Sequence, residues 1–180
     1  MILLIDAGNT RIKFGWLNAQ GEREPQALAL AHDELESRLP QWLSAQPEAM
    51  HHAIGVNVAG DAMAQTIQAL LQPSSYDIHW IRSTAAAAGV VNGYRNPAQL
   101  GPDRWLALIG LAAHTRQHAD SPLLLAGFGT ATTIDSLGPV MSSADGTAVR
   151  RFHGGLILPG VVLMRSSLVT GTANLPLAQG

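Results

Sequence analysis

The stretch Met1–Leu17, MILLIDAGNTRIKFGWL, decides the fold. Met1–Asp6 is an apolar run that ends in the turn Ala7-Gly8-Asn9-Thr10. Ile12, Phe14 and Trp16 then alternate with Lys13, Gly15 and Leu17, the period of two of a half-buried strand. Turn residues over Asn18–Gly21 lead to a third strand near Gln26–Ala31. The pattern predicts an antiparallel meander.

Working outward, Asp33 is placed to cap a helix beginning at Glu34, with Leu35, Leu39, Trp42 and Leu43 at helical spacing. Pro40 removes a backbone donor from the middle of that helix. A buried strand is expected over Ala53–Ala59, a helix over Asp61–Leu71 and a strand over Asp77–Ile81. Ser83–Gln99 reads as a loop. Leu100–His118 reads as a long helix with Trp105, Leu108, Ile109 and Ala112 on one stripe. This order predicts an α/β layer with a mixed sheet. At Leu123 the pattern restarts: an apolar run to Phe128, the turn Gly129-Thr130, and alternation over Ala131–Asp135. The restart suggests a duplicated hairpin unit, dividing the chain into 1–118 and 119–180. A polar loop is expected over Ser142–Arg151, followed by Gly154–Pro159 and a helix over Val161–Leu168.

Composition narrows the function. Of 180 residues, 47% are hydrophobic and 13% charged, so the chain has the makings of a packed core. Eleven Lys and Arg against thirteen Asp and Glu leave no basic footprint for nucleic acid. The absence of cysteine excludes disulfides and thiolate metal sites. The N-terminus lacks the parts of a signal peptide, and no apolar run reaches the roughly 18 residues of a membrane span. A soluble cytoplasmic protein with no membrane or nucleic-acid partner is expected. His114 and His118, four apart on the expected long helix, lack a third ligand for a metal and read as helix-end residues. The four tryptophans, Trp16, Trp42, Trp80 and Trp105, read as core.

Three clusters carry chemistry. A strand ending in Asp6, then Gly8-Asn9-Thr10 and a second strand, makes a hairpin whose glycine admits close backbone approach. Its backbone N–H groups can cradle an anion. Lys13, the sole lysine, adds positive charge, and Asp6 is placed to hold a hydrated Mg²⁺. The same residues also suit a plain β-turn. Gly129-Thr130 is a second turn of the same kind, and two such turns facing each other would clamp a nucleotide's phosphates. The third cluster is Tyr94-Arg95-Asn96-Pro97-Ala98-Gln99-Leu100-Gly101-Pro102-Asp103-Arg104. Asp103 falls at a helix start, where the dipole favours its ionised form, and an ionised carboxylate can accept a proton from a hydroxyl. Arg104 could grip a carboxylate in two-point fashion. A helix-terminal acid and a surface cation are the simpler alternatives. Neither a Walker A sequence nor G-x-G-x-x-G is present.

Together these clusters resemble the type III pantothenate kinase (Bvg accessory factor) family of the acetate and sugar kinase/Hsp70/actin superfamily. The matching motifs are D-x-G-N-T with a following lysine (Asp6, Gly8, Asn9, Thr10, Lys13) and Y-x-N-P-x-x-L-G-x-D-R (Tyr94 to Arg104). They continue with G-T-A-x-T-x-D (Gly129 to Asp135), G-G-x-I-x-P-G (Gly154 to Gly160) and T-A-x-L-P (Thr172 to Pro176). The resemblance implies two ribonuclease H-like domains with mixed sheets, a duplicated actin-like ATPase fold, with the second domain incomplete in this chain. It implies ATP-dependent phosphorylation of pantothenate to 4'-phosphopantothenate, the first step of coenzyme A synthesis, in a homodimer. Asp6, Ala7, Gly8, Asn9, Thr10, Arg11, Ile12 and Lys13 would form the first ATP phosphate loop, with Asp6 near Mg²⁺, reached through water. Thr130 would belong to the second loop. Tyr94, Gly101, Pro102, Asp103, Arg104 and Thr172 would bind pantothenate, and Asp103 would take the proton from its primary hydroxyl.

Two departures bear on these expectations. Gly127 stands where many members carry an aspartate that helps hold a monovalent cation, K⁺ or NH₄⁺, so no such site is assigned. The chain also ends before a further strand and an adenine-side loop expected of the family. The competing expectation is a non-catalytic binding or regulatory protein on the same scaffold.

Overall fold

A computed structural model describes residues 1–46, 52–74 and 76–171. By packing, the chain divides into two compact units. One is Met1–Arg82 with Gly101–Asp103, and the other is Ser83–Leu100 with Arg104 onward. The boundary at 118/119 follows the restart of the strand pattern, whereas the packing units follow the two cores.

In the first unit, β1 (Ile2–Ala7), β2 (Ile12–Leu17) and β3 (Leu28–Leu30) form the expected meander. β4 (His52–Asn57) and β5 (Asp77–Trp80) extend it in parallel, giving the order β3-β2-β1-β4-β5. Leu3, Ile5 and Ala7 of β1 point to one face and meet Ile12 and Phe14 of β2 in the core. Helices α1 (Leu35–Ser44) and α2 (Asp61–Leu71) supply Leu35, Leu39, Ile67 and Leu71 to the same core. α1 continues through Pro40, so burial of Leu35 and Leu39 outweighs the one lost backbone donor. The expected helix start at Glu34 is instead a 3-10 turn, His32–Glu34, leading into α1.

In the second unit the stretch expected as loop over Ser83–Gln99 holds two short strands, β6 (Ala86–Ala87) and β7 (Val90–Val91). Ala88 and Gly89 between them both have positive φ, 48° and 81°, the twist that closes a two-residue hairpin. α3 (Pro102–His114) is shorter than expected: His118 lies in a separate 3-10 turn, so the two histidines do not share a helix. β8 (Leu123–Phe128), β9 (Ala131–Ser142) and β10 (Ala148–Pro159) complete the second sheet, ordered β6-β7-β10-β9-β8. The polar loop expected over Ser142–Arg151 shrinks to a turn. Val140 and Met141 pair with Arg150 and Val149, and the Asp145 carboxylate accepts from the Thr147 N–H at 3.0 Å to close the turn. α4 (Val161–Gly171) follows.

The second core gathers Val90, Leu100, Trp105, Leu108, Leu137 and Phe152. Register puts Leu124, Phe128, Leu156 and Leu158 on the opposite face of this sheet, and all four are exposed. Trp16 and Trp105 are buried, and Trp42 and Trp80 pack partly buried on the first core, as expected. Each unit thus holds one five-stranded mixed sheet, in keeping with the expected α/β class. No helix among the described residues is long and apolar enough to cross a membrane.

Candidate functional site

Register builds the first turn. β1 and β2 pair Asp6 with Lys13, which places both side chains on one face. Their ion pair, Lys13 Nζ to Asp6 Oδ2, is 2.9 Å long and exposed to solvent. Beyond it, the Gly8 N–H donates to the Arg11 carbonyl at 3.1 Å and closes the turn. Gly8 does not need a left-handed backbone here. It needs space, since a Cβ would stand 3.0 Å from the Arg11 oxygen. Asn9, Thr10 and Arg11 are exposed. Ala7 and Ile12, read as part of the nucleotide loop, have fully buried side chains in the core. They frame the turn, and no side-chain contact with a ligand is open to them.

One residue that sequence reasoning passed over meets this turn. His32 Nε2 lies 2.9 Å from the Gly8 carbonyl. The reason is topological: β3 runs antiparallel to β2 with Leu30 opposite Ile12, so the chain leaving β3 passes the hairpin tip. That register could have been drawn from the meander, but a lone histidine gives no periodic signal.

The turn before α3 belongs to the same unit. A Cβ on Gly101 would lie 2.5 Å from Asp103 Oδ1 and 4.0 Å from Val58 Cγ1. The Val58 N–H in turn donates to the Ala7 carbonyl at 2.9 Å. Gly101–Asp103 therefore sits at the carboxyl ends of β1 and β4, the end of the sheet that carries the Gly8–Arg11 turn. Pro102 opens the helix, where its missing N–H costs nothing. Asp103 follows it and is exposed.

In the second unit Arg104 is committed. Its Nε donates to Asp135 Oδ2 at 3.1 Å and its Nη2 to Asp135 Oδ1. The Asp135 hydrogen bonds raise the pKa of Arg104 against the opposing effect of burial, and the neighbouring Tyr94 acts in the same upward direction. Tyr94 also packs on Phe152 with ring centroids 5.3 Å apart. A grip by Arg104 on a ligand carboxylate would have to compete with Asp135. Gly155 leaves the space this pair occupies, because a Cβ there would collide with Asp135 and Arg104. In the sequence Asp135 stands only as the last position of G-T-A-x-T-x-D, with no local signal of its partner.

At the second turn the Gly160 N–H donates to the Thr130 carbonyl at 2.9 Å and the Gly129 N–H to the Ala131 carbonyl at 3.0 Å. A Cβ on Gly127 would stand 2.8 Å from Thr133 Oγ1. Thr172 lies outside the described residues. No group of three His, Asp or Glu side chains that could hold a metal ion occurs among the described residues.

Fold and site thus describe an α/β protein with two mixed sheets and a glycine turn that carries an acid and a lysine at a strand end. The chain belongs to the type III pantothenate kinase family, whose sequence pattern matches residues 2–179. It is similar to the type III pantothenate kinase of Bordetella bronchiseptica, 47% identical over 183 residues covering 100% of this chain and 64% of that one. The Bordetella petrii enzyme of the same name is 49% identical over 181 residues, with the same coverage of 100% and 64%. That of Aromatoleum aromaticum is 45% identical over 180 residues, covering 100% and 67%. The chain therefore spans about two thirds of the length of these curated relatives. Among solved structures an exopolyphosphatase-like protein overlaps loosely, at TM-score 0.39 and 11% identity, over 91% of this chain and 52% of that one. That overlap adds nothing to the family assignment.

Proposed function

We propose that this chain forms the phosphate-binding and alcohol-binding part of a kinase that transfers the γ-phosphoryl group of ATP to the primary hydroxyl of pantothenate. The product is 4'-phosphopantothenate, at the entry to coenzyme A synthesis. The observation that carries the reading is the family match over residues 2–179. The shared end of the first sheet, where Asp6, the Gly8–Arg11 turn and Asp103 all lie, supports it.

Phosphoryl transfer asks the protein for positioning and charge neutralisation. Asp6 suits Mg²⁺: it is a single exposed carboxylate with only Oδ2 engaged, and Mg²⁺ keeps its waters and takes one or two carboxylates beside substrate phosphates. The ion would screen the phosphate charge. Lys13, now paired with Asp6, is exposed enough to turn to a phosphate oxygen. The backbone N–H groups of the turn bind phosphate oxygens, and Thr130 does so from the second turn. Asp103 accepts the hydroxyl proton as the alcohol oxygen attacks phosphorus. Tyr94, Gly101, Pro102 and Thr172 bind pantothenate, and Arg104 joins them only by sharing its guanidinium between the ligand and Asp135. Gly127 offers no carboxylate, so no K⁺ or NH₄⁺ site is assigned. A homodimer, a cytoplasmic location and a division into domains 1–118 and 119–180 belong to the same reading.

The test is turnover of pantothenate by the purified protein with ATP and Mg²⁺, comparing wild type with Asp103→Asn. General-base catalysis predicts a drop of about 10²–10⁴-fold in kcat with folding intact. Full activity in the variant would remove Asp103 as the base, and no turnover in the wild type would remove the kinase reading.

A further inference from the structure

We propose that His32 is a positioning residue for the first phosphate turn, aiming the Asn9 N–H at the anion. The inference rests on the kinase reading and deepens it.

His32 Nε2 lies 2.9 Å from the Gly8 carbonyl oxygen. A carbonyl only accepts, so Nε2 carries the hydrogen and the tautomer is set by the contact. The Gly8–Asn9 peptide is planar and trans, so its C=O and N–H point in opposite directions. Drawing the Gly8 oxygen toward His32 turns the Asn9 N–H away from it. The other side of Gly8 is already held, its own N–H donating to the Arg11 carbonyl at 3.1 Å. The Gly8–Asn9 plane thus has one side-chain anchor, His32 on its oxygen, next to a preceding peptide already tied to Arg11, and one outward donor. Asn9 is exposed, and its N–H has no acceptor among the described residues. Such a donor at a turn is what an anion-binding concavity presents.

His32 is itself held. The Ala31 N–H donates to Glu34 Oε2 at 2.9 Å, and the Glu34 N–H donates to the Ala31 carbonyl at 3.2 Å. This fixes the backbone entering His32. Arg38 Nη1 steadies the Glu34 carboxylate from one turn on, at 2.9 Å. The chain of contacts Arg38, Glu34, Ala31, His32 and Gly8 ends on the peptide whose N–H has no acceptor among the described residues. A histidine that merely filled space would not need a ring nitrogen on a carbonyl of the turn.

The experiment compares wild type, His32→Ala and His32→Gln in the full chain. Gln offers an amide N–H at similar reach. Affinity for Mg²⁺-ADP and for pantothenate is measured by calorimetry, and the Asn9 amide is followed by ¹⁵N NMR. Loss of one aimed hydrogen bond predicts about a three- to tenfold weaker nucleotide affinity in His32→Ala. Pantothenate affinity stays within twofold, and His32→Gln recovers most of the loss. The Asn9 amide resonance shifts on nucleotide binding to wild type. Equal nucleotide affinity in His32→Ala and wild type, or an Asn9 amide unmoved by nucleotide, overturns the inference and leaves the kinase reading standing. Equal weakening for both ligands, with no recovery in Gln, assigns His32 to general stability and also overturns it. A wild type that binds no nucleotide overturns the kinase reading, and this inference falls with it. Should His32→Ala not fold, the Gln comparison and the Asn9 resonance still decide.

Discussion

Arg104 and Asp135 form a two-point ion pair in which Nε meets Oδ2 at 3.1 Å and Nη2 meets Oδ1, with side chains 10% and 1% exposed. It joins the first turn of α3 to β9 within the second core. Both residues come from motifs that suggested ligand contacts, yet in this structure each satisfies the other.

Removing one partner strands a charge in a nearly dry site. Asp135→Ala is expected to cost about 3–5 kcal/mol in chemical denaturation, and Arg104→Ala a similar amount. The double variant should lose less than the sum of the two, because neither charge is left unpaired. Additive losses would mean that the pair does not act as a unit.

Lys13 offers a direct probe of the first turn. It is the only lysine, and its side chain is 60% exposed. Lys13→Met should change stability by less than about 1 kcal/mol, as for exposed ion pairs generally. Amine-directed modification should label Lys13 readily in the free protein and slowly with Mg²⁺-ATP present. The N-terminal amine serves as the internal control, read by mass spectrometry. Unchanged labelling at Lys13 under saturating nucleotide would remove it from the phosphate site.

Acid sensitivity has an identifiable contributor at the β9–β10 turn. Hydrogen bonds from Ser143 and Thr147 lower the Asp145 pKa from 3.8 to about 2. A group whose pKa is depressed on folding stabilises the fold above its unfolded value and loses that contribution as pH falls through the folded one. Asp145 therefore supports the fold fully above about pH 4, and the support fades between pH 4 and 2. Glu34 acts in the same sense, its pKa lowered first by the Ala31 N–H and then by Arg38. In Asp145→Asn, the fall in thermal midpoint between pH 4 and 2 should be shallower than in wild type. An identical slope would show that the turn makes no net contribution there.

Gly93 is a packing requirement. A Cβ at this position would collide with the Phe152 carbonyl, a backbone atom that cannot rotate away. Gly93→Ala should destabilise by about 1–3 kcal/mol, the range for overpacking, and perturb the Tyr94–Phe152 contact. Gly110→Ala, in α3 with open space around its added methyl, should be neutral or stabilising. Thermal unfolding of the two variants side by side checks both.

Periodicity carried much of the fold. The helix Asp61–Leu71 and the strand Leu123–Phe128 have the ranges their apolar spacing predicts, and the β1–β2 hairpin follows from alternation around a glycine turn. These are local patterns, and one buried face is enough to specify them. The expected helix running through Pro40 forms as α1, kept by burial of the neighbouring Leu35 and Leu39. Polarity misled after Ser142, where cross-strand partners draw the stretch expected as loop into β10.

The site divides along the same line. Asp6, the Gly8 turn, Lys13 and Asp103 were legible because glycine turns, strand ends and helix starts announce themselves in a few consecutive residues. His32 on Gly8, Asp135 on Arg104, and the buried Arg150, whose guanidinium donates to the Ser121, Gly138 and His118 carbonyls, were not. The amino-acid order by itself determined most of the elements, the glycine turns and the family. Only the tertiary structure decided which polar groups meet, because partners 12 to 32 residues apart are set by strand register and by the cost of leaving buried donors unpaired.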